Sequence, residues 1–201
     1  KIETAADFLK GIVGKSGKIL FVGTKKQAQV SIKETAESTG QPYVCERWLG
    51  GMMTNLNTIR KSIKRMVELE TMESDGRMAE YVKQEQSMLR RELNRLNIRL
   101  NGIRDLNSKP DAMFIVDIKR EHNALAEARR LRVPIVAIVD TNTDPTLVDY
   151  PIAGNDDAIR SIKAILDPLV QPIIDARAAY NATSEKLKAE ADKKTDPSKD
   201  I

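Results

Sequence analysis

Gly17-Lys18-Ile19-Leu20-Phe21-Val22-Gly23-Thr24-Lys25 sets four large apolar residues in a row between two glycines, and the reading of the fold starts there. A run this short, without alternation, fits a strand covered on both faces. Further along, Ala112 to Val116 follows Pro110 and ends at Asp117, and Ile135 to Val139 follows Pro134 and ends at Asp140. Tyr43-Val44-Cys45 and Tyr150-Pro151-Ile152 are weaker strand candidates. Helical stretches are expected between them over roughly 3–15, 26–39, 121–132 and 156–180. Alternation of strand and helix predicts an α/β fold: a parallel sheet with helices on both sides. The strand C-terminal ends would then share one edge, gathering Gly23, Arg47, Asp117 and Asp140.

Residues 52–103 break that rhythm. Met52, Leu56, Ile59, Ile63 and Met66 recur at steps of three and four, as do Met78 to Val82 and then Leu89, Leu93, Leu96, Leu100 and Ile103. This heptad spacing is interrupted at Ser74-Asp75-Gly76, which reads as a turn. An antiparallel helical hairpin, a short coiled coil, is therefore expected as an insertion over 54–103 of a core formed by 1–53 and 104–180. Residues 181–201, rich in Lys, Ala, Asp and Glu, read as a charged flexible tail.

The 201 residues are 41% hydrophobic and 31% charged, enough apolar content for one good core under a heavily charged surface. No apolar run approaches the ~20 residues of a membrane helix, and no signal-peptide order appears at the start. A single cysteine, Cys45, leaves no internal disulfide, so an intracellular setting is expected. A net charge of +4 is too small to name a polyanionic partner, so the placement of the charge has to decide.

Several patterns point to chemistry. Gly23-Thr24-Lys25-Lys26 opens a helix after a strand, a position where free N–H groups often meet phosphate, with Thr24 also a competent helix cap. Neither glycine-rich phosphate-loop pattern is complete. Asp140-Thr141-Asn142-Thr143-Asp144 begins like a calcium loop but places Pro145 where glycine is needed and Pro151 where glutamate is needed. Asp117 and Asp140 could hold magnesium or act as a phosphoacceptor pair. A Cys45 and His122 dyad competes with an inert strand thiol.

The basic residues are more coherent. Arg47-Trp48-Leu49-Gly50-Gly51-Met52-Met53-Thr54-Asn55 joins a strand to the hairpin, with Arg60, Lys61, Lys64 and Arg65 along the next helix. Thr54 or Asn55 can cap that helix, the glycines permit reversal and close approach, and Trp48 either anchors the hairpin or stacks on a base. The RNA-contact candidates are Thr24, Lys25, Lys26, Arg47, Trp48, Gly50, Gly51, Thr54, Asn55, Arg60, Lys61, Lys64, Lys119, Arg120 and His122. Aromatics at 4% are too few for a base-stacking platform, so backbone contact should dominate. Rival readings are a nucleotide-binding or phosphoacceptor enzyme and a protein-interaction module acting through the hairpin.

Read in order, Ile19 to Lys25, Arg47 to Gly51 with Thr54-Asn55, Lys109 to Ala112, Glu121 with Asn123-Ala124, Glu127-Ala128, Pro134 to Ala137, Asp140-Thr141-Asn142 and Ile152 to Asp156 resemble the bacterial-type small-subunit ribosomal protein number two family. The resemblance covers residues 1 to about 175. It implies a flavodoxin-like three-layer α/β/α core with an inserted hairpin, and a structural, non-enzymatic role without cofactor or metal. It also implies a place in the small subunit of a cytoplasmic ribosome, bound to its RNA and neighbouring proteins, the large messenger-binding protein of that subunit among them. Members of the family carry a stretch with a His-Phe-Gly-His-like motif ahead of the helix at which this sequence starts.

Overall fold

β1 (Ile19–Val22) pairs with β2 (Tyr43–Val44) on one side and β3 (Ala112–Val116) on the other. β4 (Ile135–Val139) and β5 (Tyr150–Ala153) extend the sheet, giving a five-stranded order of β2-β1-β3-β4-β5 with every pairing parallel. The computed structural model describes residues 1–194, with side chains to residue 184. Strand order 2-1-3-4-5 is the flavodoxin-like arrangement, and its reversal point lies between β1 and β3.

Every residue of β1, β3 and β4 is buried, which is why these runs carry no alternation. Ile19, Phe21, Phe114, Val136 and Ile138 point to one face, packing under α1 (Ile2–Val13), α2 (Lys26–Thr39) and α6 (Ile159–Lys194). The Phe21 and Phe114 rings sit 5.5 Å apart in this layer, and truncating either to alanine should cost about 3–5 kcal/mol. Leu20, Val22, Met113, Ile115, Ala137 and Val139 point the other way, against α5 (His122–Arg130) and the base of the hairpin. The edge strands β2 and β5 are half exposed, which explains their weaker sequence signal.

α3 (Leu56–Ser74) and α4 (Lys83–Leu100) form the hairpin. Their apolar seam, with Ile59, Ile63, Met66 and Leu69 on one arm and Leu93 and Leu100 on the other, runs without interruption into the sheet core through Trp48, Met52, Met53, Ile103 and Leu106. Between the arms, Gly76 takes φ +81 and a 3-10 turn over Arg77–Glu80 replaces the helical spacing read for Met78 to Val82. Three ion pairs cross the hairpin and its base, Arg65 to Glu92, Arg90 to Glu73 and Arg104 to Glu70. At such exposure each contributes about 0.2–1 kcal/mol, so the apolar seam carries the pairing. Where α4 returns to the core, a side chain at Gly102 would place its Cβ 2.3 Å from the Tyr43 carbonyl oxygen, so only glycine lets the two backbones pass.

Some boundaries differ from the sequence reading. α5 stops at Arg130 because Arg132 turns to φ +53. α6 starts at Ile159, after Asn155 Oδ1 accepts from the N–H groups of Asp157 and Ala158. Pro168 and Pro172 lie inside α6 and each removes one helical donor. Burial of Leu166, Leu169 and Ile173 on the sheet keeps the helix going. It continues through Lys194, into the stretch from 181 read as a charged tail; the rest of that stretch, 195–201, lies outside the described residues.

Candidate nucleic-acid interface

The C-terminal ends of β1 and β3 meet at the reversal point, and two turns are locked together there. Thr24, buried, donates both its N–H and its hydroxyl to Glu121 Oε1, while its hydroxyl oxygen accepts from Arg120 Nε at 3.1 Å. Thr24 therefore neither caps α2 nor faces solvent: Lys25 occupies the N-cap position without a side-chain cap.

Lys25 departs furthest from expectation. Its ammonium contacts Asp117 at 3.2 Å, Asp156 at 2.7 Å and Asp157. Burial alone would lower its pKa, but hydrogen bonds to these carboxylates outweigh that and raise it well above the usual lysine value. A lysine so surrounded is committed to carboxylates, which argues against its reading as an RNA contact. Asp140, Asp156 and Asp157 bring one carboxylate oxygen each within 4.8 Å of one another, and the cation beside them is Lys25. Burial pushes the Asp156 carboxyl up despite Lys25, with Asp117 and Asp140 adding to the push. Asp140, in contrast, is held below its ordinary value by the N–H groups of Thr141 and Asp156. Acidic neighbours of this density repel a nucleotide phosphate, so the local charge opposes the phosphate-binding rival.

The junction into the hairpin is organised by one residue of α5. Glu127 Oε1 accepts from Trp48 Nε1 at 3.0 Å and from the Gly51 N–H at 2.8 Å. Its Oε2 accepts from the N–H groups of Met53 and Thr54, both at 3.0 Å, and from the Thr54 hydroxyl at 3.1 Å. Burial would raise the Glu127 pKa, yet the donors prevail and lower it. Trp48 is buried at 7% exposure, with its one polar atom bonded, so it anchors the hairpin and has no free face for a base.

Gly51 uses positive φ, at +83, whereas Gly50 does not and has open space around it. Of the two glycines only Gly51 makes the reversal. Thr54 is committed to Glu127, and Asn55, although at the N-cap of α3, uses its Oδ1 to accept from the Thr58 hydroxyl. Neither caps α3 through a side-chain bond to its backbone.

The remaining candidates separate into free and committed charges. Lys26, Arg47, Lys61, Lys64, Lys119 and His122 are exposed. Among the described residues none of these side chains, nor Arg60 or Arg120, joins an ion pair. Arg60 is half buried with its Nε unpartnered among the described residues, and Arg120 leans on Thr24. Arg65, by contrast, is spent on Glu92 and Glu68. Cys45, partly buried, is pushed up to about 12 by burial and by Glu46, so its thiol stays protonated and the dyad reading loses its nucleophile.

Sequence reasoning did not assign Glu121, Glu127, Asp156 or Asp157 a role. Both glutamates stood in motifs quoted for the resemblance, but nothing local tells a glutamate that gathers distant N–H groups from one that faces water.

Comparison with known proteins agrees with the resemblance. A family model described as Ribosomal protein S2 matches residues 1–176. The small ribosomal subunit protein uS2 of Mycolicibacterium vanbaalenii is 50% identical over 191 residues, spanning 94% of this chain and 70% of that protein. The protein of the same name from Mycobacteroides abscessus is 49% identical over 191 residues, spanning 94% of this chain and 69% of its own length. The chain belongs to the ribosomal protein S2 family.

Proposed function

We propose that this structural constituent of the bacterial small ribosomal subunit grips ribosomal RNA through Lys26, Arg47, Lys61, Lys64 and Lys119, with Arg60, Arg120 and His122 alongside. The observation that carries the proposal is the sorting of charge. Lys26, Arg47, Lys61, Lys64, Lys119 and Arg120 are exposed and, among the described residues, outside ion pairs, whereas Lys25, Arg65 and Arg104 are consumed by carboxylates. Thr24, Lys25, Trp48, Gly51 and Thr54 then shape the surface and do not touch the nucleic acid. Phosphate contacts from scattered cations position a protein on RNA and release counterions as they form.

Affinity for a transcript of the small-subunit RNA should therefore fall steeply with salt. Arg47→Ala with Lys64→Ala should lower it across sequences and flatten the salt slope by about 2. An unchanged slope would remove the proposal. Contacts to neighbouring subunit proteins accompany this role. The hairpin tip, with Val82 70% and Met88 64% exposed, suits recruitment of the large messenger-binding protein. Val82→Ser with Met88→Ser should then weaken that recruitment in pull-down while RNA affinity stays constant.

A further inference from the structure

At the edge of the sheet opposite the junction, Arg129, Arg130 and Arg132 crowd the end of α5. All three are exposed, and among the described residues none of them joins an ion pair. The helix dipole favours cations in the last turn and accounts for Arg129 and Arg130. It does not call for Arg132, which stands beyond the helix. There the backbone holds φ +53, while the Val133 N–H donates back to the Ala128 carbonyl at 2.9 Å and the Arg132 N–H to that of Arg129 at 3.1 Å. Glycine fills this left-handed helix ending at no steric cost, and a side chain fills it only under strain. An arginine held where glycine fits best points to a use for its side chain.

Arg129 and Arg132 line an open hollow of about 500 Å³, together with Pro134, Thr146, Leu147 and Val148, where β4 and β5 begin. Val148 is buried and Leu147 half-buried, so two guanidinium groups stand beside an apolar floor. The acids nearby hold turns of their own. Asp149 Oδ2 accepts from the Ile135 N–H at 2.8 Å, and Asp144 Oδ1 accepts from the Thr146 N–H at 2.9 Å and its hydroxyl at 2.7 Å. Three arginines against these two acids leave the surroundings cationic. No aromatic side chain lines the hollow, so a base finds nothing to stack on. Lys26, Arg47 and Lys119 follow β1, β2 and β3 at the other edge, so the hollow is placed for a different neighbour.

We propose that this hollow docks an acidic segment of a neighbouring subunit protein, its carboxylates taken by Arg129 and Arg132 and an apolar side chain set on Leu147 and Val148. The proposal goes beyond the RNA-binding reading and does not depend on it. The test titrates the full chain against a fluorescent peptide, Asp-Glu-Leu-Asp-Glu with blocked ends, against the same peptide with serine for leucine, and against a short uridine oligonucleotide. The leucine peptide should bind, and Arg129→Gln or Arg132→Gln should each weaken it about tenfold, the loss of one charge-assisted pair. The serine peptide should bind several-fold more weakly. Arg132→Gly should weaken the leucine peptide as much as Arg132→Gln while raising the thermal unfolding midpoint, because the strain leaves with the side chain.

Absence of saturable binding by the leucine peptide, or binding that survives the arginine variants, overturns the proposal. A serine peptide that binds as tightly does the same, since the apolar floor would then be unused. A lowered midpoint in Arg132→Gly would mean that the arginine serves the fold, and the proposal falls. If the uridine oligonucleotide binds in its place and loses affinity with the arginine variants, the hollow is a nucleic-acid site and the proposal is wrong.

Discussion

Trp48 and Glu127, 79 positions apart, meet in a 3.0 Å hydrogen bond from the indole Nε1 to a carboxylate that also collects donors from Gly51, Met53 and Thr54. One charged acceptor thus ties the first turn of the hairpin to α5, whose N-terminal end holds Thr24 through Glu121. The exposed cations on either side are carried by a frame that these two glutamates fasten.

Glu127→Gln keeps the size and removes the charge. An amide offers one oxygen to the five donors and turns its own N–H groups toward the rest. Hydrogen bonds to a charged group are worth about 1.5–3 kcal/mol each and do not add, so a loss of about 2–3 kcal/mol is expected. Urea unfolding followed by fluorescence measures it, because the sole tryptophan sits at the bond in question. An unchanged midpoint would show that the frame is held elsewhere.

The same site carries an acid dependence of defined sign. Burial raises the Glu127 carboxyl, the N–H donors outweigh it, and the folded value ends below the ordinary one. A depressed folded pKa contributes stability that is complete above the unfolded value, about 4.3, and is lost as pH falls through the folded value. The stability gap between the unaltered chain and Glu127→Gln should therefore be constant from about pH 7 to 5 and close at lower pH. A gap that widened on acidification would contradict the assignment.

How much of this was legible in the sequence follows from the range of each interaction. β1, β3 and β4 were readable because burial on both faces forces an apolar run, and glycine or proline marks the ends. The hairpin was readable because its seam repeats along the chain. The site was readable only as a set of cations. Gly23-Thr24-Lys25 looks like a phosphate turn until Asp117, Asp156 and Asp157, 92 to 132 positions away, close on the lysine. Trp48 was open to stacking until Glu127 claimed it. No local pattern records such pairings, since each joins loops brought together only by strand order.

Lys25→Ala should separate structure from RNA contact. It leaves Asp156 buried and without its cation, and breaking a buried pair costs about 3–5 kcal/mol. The exposure of Asp157 argues for the lower end, about 3 kcal/mol at neutral pH. Asp156 already titrates above its ordinary value, and a raised carboxyl is relieved by taking a proton. The penalty should thus shrink as pH falls, and Asp156→Asn in the same chain should recover part of it at neutral pH. Chemical denaturation at two pH values measures both effects. The salt slope of RNA binding should not move, and a slope flattened by about 1 would restore Lys25 as a phosphate contact.

Gly50 and Gly51 stand side by side and should respond differently to alanine. At Gly51 the backbone holds φ +83, and an added Cβ would lie 3.1 Å from the Asn55 Cβ, so strain and crowding coincide. A loss of about 1–2 kcal/mol is expected there. Gly50 has no positive φ and nothing within 4 Å of the added atom. Gly50→Ala should stay within about 0.5 kcal/mol of the unaltered chain. Because the Gly51 N–H also donates to Glu127, its variant should shift the Trp48 emission as well as the unfolding midpoint, while the Gly50 variant shifts neither. Equal losses at the two positions would mean that the reversal is shared between them and that Gly51 alone does not set the path from β2 into α3.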